Sequence, residues 1–109
     1  MNILKQFPRL KVIAAHLGGY QRWDEVKRLD GYLGNPNIYI DTCSAIQFLP
    51  SSVSEEIIRA HGTERVFWGT DYPMWDHVTE YNRFMQLKLT DKEKEQILWK
   101  NAESFLKPL

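Results

Sequence analysis

The sequence predicts an α/β fold in which about three parallel strands alternate with helices. Three short runs rich in apolar, β-branched or aromatic residues are typical of strands buried on both faces, and they span residues 12–15, 38–40 and 65–68. Their spacing is close to the roughly 30 residues of one strand–helix unit. Helical periodicity fills the intervals between them, which is the pattern of consecutive βαβ units.

The two intervals between these runs each predict one helix. The first helix is expected to end before Gly34, and its apolar residues recur every three or four positions: Trp23, Val26, Leu29 and Leu33. In the second interval Ser52 and Glu55 form a capping-box pattern, which predicts that a helix begins there and ends near His61. We expect a structural role for His61 at that helix end.

Two further helices are predicted after the third strand. The first carries an apolar stripe at steps of three residues: Val78, Tyr81, Phe84 and Leu87. Thr90 and Glu93 form a second capping-box pattern, which opens the last helix. Trp23 and Trp99 fit the core stripes of their helices.

Charge and hydropathy exclude several kinds of partner. Lys+Arg 14 balance Asp+Glu 14, and this zero net charge argues against nucleic acid or an anionic membrane, which recruit basic proteins. The longest apolar run is far shorter than the ~20 residues of a membrane span, and no secretory signal is visible. Cys43 is the single cysteine, so no internal disulfide can form. We therefore expect a cytoplasmic protein whose substrate, if it is an enzyme, is a small molecule.

Side chains with catalytic chemistry follow the predicted strands. His16 follows the first strand, Asp41 the second and Asp71 the third. Since parallel strands present functional residues at their carboxyl ends, His16 and Asp71 are the candidate catalytic and metal-binding residues. A neutral imidazole can bind a metal or hold a water, and a carboxylate can ligate a divalent cation and accept a proton.

Structural roles remain open for the same residues. His16 can instead hydrogen-bond the neighbouring strand, and Asp71 can form an Asx turn or cap a helix. Asp41 is expected to cap the following helix. Cys43 is expected to be a small packed residue, because no histidine or basic cluster adjoins it in the sequence.

Gly18 and Trp75 are the candidates for substrate binding. Gly18 and Gly19 allow close approach of a substrate to the backbone. Their amides could also bind an anionic group, so one non-enzymatic alternative is a small open-sheet ligand-binding domain. Trp75 lies just past Asp71, where it can wall a pocket for a planar or aromatic substrate. A surface role is expected for His77.

Four sequence blocks, which together cover much of the chain, occur in a characteristic order. They are residues 7–19 with His16-Leu17-Gly18-Gly19, residues 37–42 with Asp41-Thr42, residues 65–73 with Gly69-Thr70-Asp71-Tyr72-Pro73, and residues 90–106. In this order they resemble the amidohydrolase-related family. That family is the branch of the amidohydrolase superfamily that contains aminocarboxymuconate-semialdehyde decarboxylase and related metal-dependent hydrolases and decarboxylases.

The resemblance implies a partial (β/α)8 TIM barrel. Residues 1–109 would form a single C-terminal fragment, with the last three βα units and the C-terminal helices. By the same resemblance, His16 matches the histidine that ends barrel strand six, which orients the catalytic water or substrate or joins a second metal. Asp71 matches the aspartate that ends strand eight, a metal ligand and proton acceptor. The implied cofactor is a divalent metal, zinc first and manganese second, that activates water.

The sequence departs from that family in its ligand set. Family members also carry a His-x-His pair on the first strand and a histidine on the fifth, and neither occurs here. Because His16 and Asp71 supply two ligands where a catalytic zinc usually has three, we expect the isolated chain to be incomplete for catalysis. The alternative is a non-enzymatic truncated α/β module that forms a homo-oligomer through two exposed strand edges.

Overall fold

The computed structural model describes residues 2–107. No helix within this range has both the length and the apolar character that spanning a bilayer requires. A 3₁₀ turn, Thr63–Arg65, precedes the last strand, and a π-helical turn, Gln96–Lys100, interrupts the last helical segment. From β1 onward the strands and helices alternate as predicted, and the predicted last helix is divided into α5 and α6. The elements are α1 (Asn2–Gln6), β1 (Val12–Ala14), α2 (Trp23–Arg28), β2 (Ile38–Asp41), α3 (Ser51–His61), β3 (Val66–Phe67), α4 (His77–Met85), α5 (Asp91–Glu95) and α6 (Asn101–Phe105).

The three strands form one parallel sheet in the order β1-β2-β3. Ile13 lies beside Tyr39, and Asp41 lies beside Phe67, which is an offset of 26 residues in both pairs. The predicted α/β fold with parallel strands is therefore confirmed. Because all three strands run in one direction, their carboxyl ends meet at a single edge of the sheet.

One face of the sheet forms the main core. Ile38, Ile40 and Val66 point to this face and are completely buried. They belong to one apolar cluster with Ile57 and Ile58 of α3, which are also completely buried. Burying each of these side chains contributes about 1.5–3 kcal/mol, so this face accounts for much of the stability of the sheet.

The opposite face is covered by aromatic rings near its centre. Tyr39 and Phe67 stack with their centroids 5.4 Å apart, and Phe105 of α6 packs edge-on against both rings at 4.8 and 5.6 Å. Ile13 points to the same face and remains 49% exposed. The cover of this face is thus partial and ends at β1.

The two outer edges of the sheet differ. Asn101 Nδ2 donates to the Val66 carbonyl at 2.8 Å, and Trp68 N donates to the Ile97 carbonyl at 2.9 Å, so the C-terminal helices satisfy the outer edge of β3. Within residues 2–107 no strand pairs with the outer edge of β1. The expectation of two exposed edges therefore holds for β1 and is wrong for β3.

The two predicted capping boxes have different outcomes. Thr90 caps α5 as predicted, since its hydroxyl accepts from Glu93 N at 3.1 Å and the Glu93 carboxylate accepts from Thr90 N at 2.8 Å. The Ser52 box is wrong, because α3 begins at Ser51 with Pro50 at the N-cap. Ser52 therefore lies inside the helix.

Two helical stripes are also less buried than predicted. α2 ends at Arg28, because Leu29 adopts an extended backbone with ψ 121°, and the Leu29 side chain is 54% exposed. In α4 the buried residues are Glu80 and Phe84, whereas Val78 and Tyr81 are exposed. Trp99 is 48% exposed, so its predicted core position is wrong, while Trp23 is buried as predicted.

His61 joins the end of α3 to the start of β2. Its Nδ1 accepts from Gly34 N at 3.1 Å, and its Nε2 donates to the Ile38 carbonyl at 2.6 Å. Burial lowers the pKa of His61, so the ring is neutral rather than a cation at the helix end. The predicted structural role of His61 is confirmed by these two bonds.

Replacing Thr90, the observed helix cap, should lower stability, whereas replacing Ser52, the wrongly predicted cap, should not. We expect Thr90→Ala to lower the free energy of unfolding by about 1 kcal/mol, because the Glu93 amide loses its acceptor. Ser52→Ala is the matched control and should leave stability unchanged or slightly higher, since alanine favours a helix interior. Urea denaturation followed by circular dichroism measures both. A greater loss for Ser52→Ala than for Thr90→Ala would contradict this assignment of caps.

Candidate active site at the carboxyl edge of the sheet

The segments that follow the three strands bring three potential metal-binding side chains together. One ligand atom each from His16, Cys43 and Asp71 lies within 4.8 Å of the other two. His16 follows β1, Cys43 follows β2 and Asp71 follows β3, so the cluster depends on all three strands. The structure thus places the two predicted residues, His16 and Asp71, side by side and adds Cys43.

Left-handed backbone conformations shape this edge. His16, Ser44 and Asp71 have φ of 60°, 47° and 59°, which is uncommon for residues other than glycine. Each such residue costs on the order of 1 kcal/mol and persists only where its surroundings hold it. Because one of them follows each strand, the chain turns sharply at all three strand ends.

Asp41 holds the ends of β1 and β2 together. Its Oδ1 accepts three hydrogen bonds, from His16 N at 3.0 Å, Cys43 N at 3.2 Å and Cys43 Sγ at 2.8 Å. The predicted helix cap at Asp41 is wrong: its carboxylate closes the turn after its own strand and binds the turn after the neighbouring strand. Asp41 is a positioning residue: the sequence placed it at this edge, but not its bonds to the turn after β1.

The His16 ring has a defined orientation. Its Nδ1 lies 2.8 Å from the Cys43 carbonyl oxygen, and because a carbonyl only accepts, Nδ1 carries the proton and donates it. In the neutral ring, Nε2 is then the nitrogen with the lone pair. A histidine ligand commonly donates its other ring N–H to a carbonyl in this way, so the second-strand turn orients the imidazole for binding through Nε2.

The Asp71 carboxylate is held on one side only. Its Oδ2 accepts from Ser44 Oγ at 2.6 Å, and Ser44 Oγ accepts from Trp75 Nε1 at 2.9 Å. Within residues 2–107 the side-chain hydrogen bonds of Asp71 involve Oδ2 alone, and the residue is exposed. The second oxygen, Oδ1, can therefore take a ligand or a proton.

Cys43 lies in a negatively charged environment. Burial, the hydrogen bond to Asp41 and the nearby charges of Asp41 and Asp71 raise the pKa of the Cys43 thiol from 9.0 to about 12. Its Sγ is 3.5 Å from His16 Nδ1, so a histidine that does not adjoin Cys43 in the sequence lies beside it in the fold. The 26-residue offset between β1 and β2 could have predicted this contact from the sequence. Extended past the strand ends, it places residue 16 beside residue 42, next to Cys43.

Three exposed or half-buried rings, Tyr20, Phe48 and Trp75, form an arc beside the cluster, here called the aromatic arc. Tyr20 packs edge-on against His16 at 5.4 Å and against Phe48 at 6.0 Å, and Phe48 packs against Trp75 at 5.8 Å. The arc therefore runs from His16 to the tryptophan that is bonded to Ser44. The placement of Trp75 agrees with its predicted position beside the site, and its contact with substrate stays a prediction.

The glycine turn after β1 is used internally. Gly18 N donates to the Ala15 carbonyl and Gly19 N to the His16 carbonyl, so the proposed anion site on these two amides is wrong. The Gly18 carbonyl accepts from the Tyr32 hydroxyl at 2.6 Å, and a Cβ at Gly18 would lie 2.9 Å from the Tyr32 ring. The prediction that Gly18 contacts substrate is not tested by this geometry.

Parallel strands, helices between them and reactive side chains at the carboxyl ends define this as a segment of a TIM-barrel enzyme fold. The chain belongs to the amidohydrolase family, whose sequence model, described as "Amidohydrolase", matches residues 2–107. The 2-amino-3-carboxymuconate-6-semialdehyde decarboxylase of Caenorhabditis elegans is 29% identical to it over 119 residues. That alignment covers 96% of this chain and 30% of the decarboxylase, so the chain spans about a third of its relative.

Solved structures show the same fold. An uncharacterised TIM-barrel protein of Bordetella bronchiseptica superimposes with a TM-score of 0.78 and 28% identity, over 96% of this chain and 37% of that one. A dihydroxybenzoic acid decarboxylase of Polaromonas sp. JS666, solved with bound manganese and 2-nitroresorcinol, gives a TM-score of 0.74 and 18% identity, over 94% and 35%. The predicted partial TIM barrel is thereby confirmed.

The raised pKa of Cys43 should be visible in its reactivity. Only the thiolate attacks a disulfide reagent, so in the presence of a chelator we expect the rate of reaction with dithiobis(nitrobenzoate) to keep rising above pH 9. A pKa near 12 leaves the thiolate fraction at pH 8 about 10³-fold below that of a thiol with pKa 9. Asp41→Asn should move the profile to lower pH. A plateau near pH 9 in the unmodified protein would contradict the assigned environment.

Proposed function

We propose that this chain forms part of the active site of a divalent-metal-dependent enzyme that decarboxylates or hydrolyses a small molecule. The observation that carries the proposal is the approach of His16 and Asp71, whose donor atoms lie within 4.8 Å across the sheet edge. An imidazole nitrogen and a carboxylate oxygen are ligands that zinc and manganese both accept. The family membership and the decarboxylase relative support the same chemistry.

The residues have separate tasks in this proposal. Asp71 would bind the metal through its available oxygen and accept a proton, while Ser44 keeps the other oxygen in place. His16 would present Nε2 to the metal or to the reacting group, because Nδ1 is committed to the Cys43 carbonyl. A divalent cation, when bound, supplies Lewis-acid activation of water or of a substrate oxygen.

The aromatic arc supports a planar substrate. Tyr20 packs against His16, and Phe48 and Trp75 continue the arc from Tyr20. Aromatic surfaces of this kind favour flat, conjugated molecules. The named relatives act on unsaturated or aromatic carboxylic acids, and one of them carries manganese. We therefore propose a planar carboxylic acid as substrate, decarboxylation as the favoured reaction, and manganese or zinc as the metal.

Other parts of a barrel would complete this site. The chain spans 30% of the Caenorhabditis elegans decarboxylase, and His16 and Asp71 alone are fewer ligands than a catalytic metal usually has. We propose that further ligands come from strands beyond these 109 residues and that the isolated chain turns over no substrate. The single thiol of Cys43 also fits a reducing compartment, and we propose the cytoplasm.

Metal binding tests this proposal directly. After treatment with a chelator, we expect the protein to bind Mn²⁺ or Zn²⁺ with one-to-one stoichiometry, measured by calorimetry and elemental analysis. Asp71→Ala should weaken binding at least ~10-fold, because it removes the exposed carboxylate ligand. Asp30→Ala, at an exposed carboxylate in the loop after α2, is the matched control and should change nothing. Equal affinity in the Asp71 variant and the unmodified protein would remove the proposal.

A second candidate function, a non-enzymatic α/β module, is supported by the open edge of β1. This strand has no partner on its outer side within residues 2–107, and Ile13 at its centre is 49% exposed. Unpaired edges of this kind associate with another strand. We propose that two copies pair through β1, which would form a homo-oligomer without requiring catalysis.

Light scattering after size exclusion tests this association. A β1-paired protein should have at least twice the 12.9 kDa mass of one chain. Ile13→Lys should shift it toward the single-chain mass, because a charge on an edge strand opposes pairing. A single-chain mass for the unmodified protein across the accessible concentration range would exclude pairing through β1.

A further inference from the structure

Trp75 contacts the candidate site through its indole nitrogen as well as through its ring. Its Nε1 donates to Ser44 Oγ at 2.9 Å, and Ser44 Oγ donates to Asp71 Oδ2 at 2.6 Å. Two hydrogen bonds thus lead from the aromatic arc to the carboxylate that the proposed function makes a metal ligand and proton acceptor. The proposed function assigns the indole N–H no task.

The directions of both hydrogen bonds follow from the groups that form them. An indole nitrogen only donates, so Ser44 Oγ accepts from Trp75 with a lone pair. A hydroxyl has a single hydrogen, and an ionised carboxylate only accepts, so this hydrogen lies on the 2.6 Å contact with Asp71. That length is typical of a hydroxyl bonded to a charged oxygen. Because the indole occupies the accepting side of Ser44, the hydroxyl stays directed at Asp71.

The surrounding chain holds the three groups in place. Ser44 is 3% exposed, and Ser44 and Asp71 both have left-handed backbones, with φ of 47° and 59°. Met74 N donates to the Asp71 carbonyl at 2.9 Å, which closes a turn immediately before Trp75. Phe48, in the same segment as Ser44, packs edge-on against the Trp75 ring at 5.8 Å. The segments after β2 and β3 therefore support the indole from both sides of the Ser44 bond.

We propose that Trp75 is a positioning residue for Asp71 and that it acts through the Ser44 hydroxyl. This inference rests on the proposed function for Asp71 and extends it. A hydrogen bond that Ser44 accepts strengthens the one that Ser44 donates, so the indole N–H keeps Oδ2 of Asp71 committed and leaves Oδ1 for a metal or a proton. A planar substrate that packs on Trp75 would then contact the same ring that positions the reactive carboxylate.

The indole N–H signals in a ¹H–¹⁵N NMR spectrum test these two bonds without a metal. Of the four tryptophan signals, that of Trp75 is the one that Trp75→Phe removes. Asp71→Ala should move this signal upfield, because Ser44 loses its acceptor and then accepts from the indole more weakly. Ser44→Ala should also move it, and Asp71→Ala added to Ser44→Ala should move it no further. Asp30→Ala is the matched control and should leave the signal in place.

Metal affinity tests the consequence for the candidate site. Ser44→Ala should weaken Mn²⁺ binding about 10-fold, and Trp75→Phe about 3-fold, since Trp75 acts one hydrogen bond further from the metal. The double variant should bind no more weakly than Ser44→Ala alone. Trp99→Phe, at a 48% exposed tryptophan outside the cluster, is the matched control and should change nothing. Additive losses in the double variant would show that Trp75 acts independently of Ser44 and would overturn the inference.

The outcomes separate this inference from the proposed function. A Trp75 signal that does not respond to Asp71→Ala would overturn the inference and leave the His16 and Asp71 site standing. A coupled NMR response in a protein that binds neither Mn²⁺ nor Zn²⁺ would overturn the proposed function and leave the positioning of Asp71 by Trp75 standing. Should Asp71→Ala fold poorly by circular dichroism, Asp71→Gly replaces it, because glycine adopts the left-handed backbone of this position freely.

Discussion

The Asp41 carboxylate is the interaction on which the candidate site depends. One oxygen accepts the amides of His16 and Cys43 and the thiol of Cys43, and so joins the turns after two neighbouring strands. Hydrogen bonds to an ionised acceptor contribute about 1.5–3 kcal/mol each, enough to hold strained backbone at His16. Without this acceptor, two amides at the sheet edge would lose their partner.

The two carboxylates at this edge have different environments and therefore different uses. Asp41 is half-buried, and its Oδ1 accepts three hydrogen bonds from the two neighbouring turns, so it positions those turns. Asp71 is exposed, and among residues 2–107 its carboxylate accepts one side-chain hydrogen bond, from Ser44. A carboxylate of the second kind can still exchange its hydrogen bonds for a cation or a proton. The division between a supporting and a reactive carboxylate follows from the bonds and not from residue type.

Local sequence patterns predicted structure well where neighbours along the chain decide it. The Thr90 capping box formed because both of its bonds lie within four residues. The same pattern at Ser52 failed, since Pro50 occupies the N-cap and the Glu55 carboxylate instead accepts from Lys88 N, 33 residues away. A pattern of two residues contains no information on such a distant competitor. The predicted apolar stripe of α4 failed for a similar reason: packing against the rest of the chain buries Glu80 and Phe84.

The sequence by itself determined the parallel α/β architecture and the strand-end positions of His16 and Asp71, because apolar periodicity and strand spacing are local properties. Only the tertiary structure decided that Cys43 lies beside His16, that Asp41 joins two turns, and that β3 has a covered edge. These contacts depend on an exact register of 26 residues and on where the C-terminal helices dock. A one-residue slip would turn each side chain to the other face, so approximate spacing was not sufficient.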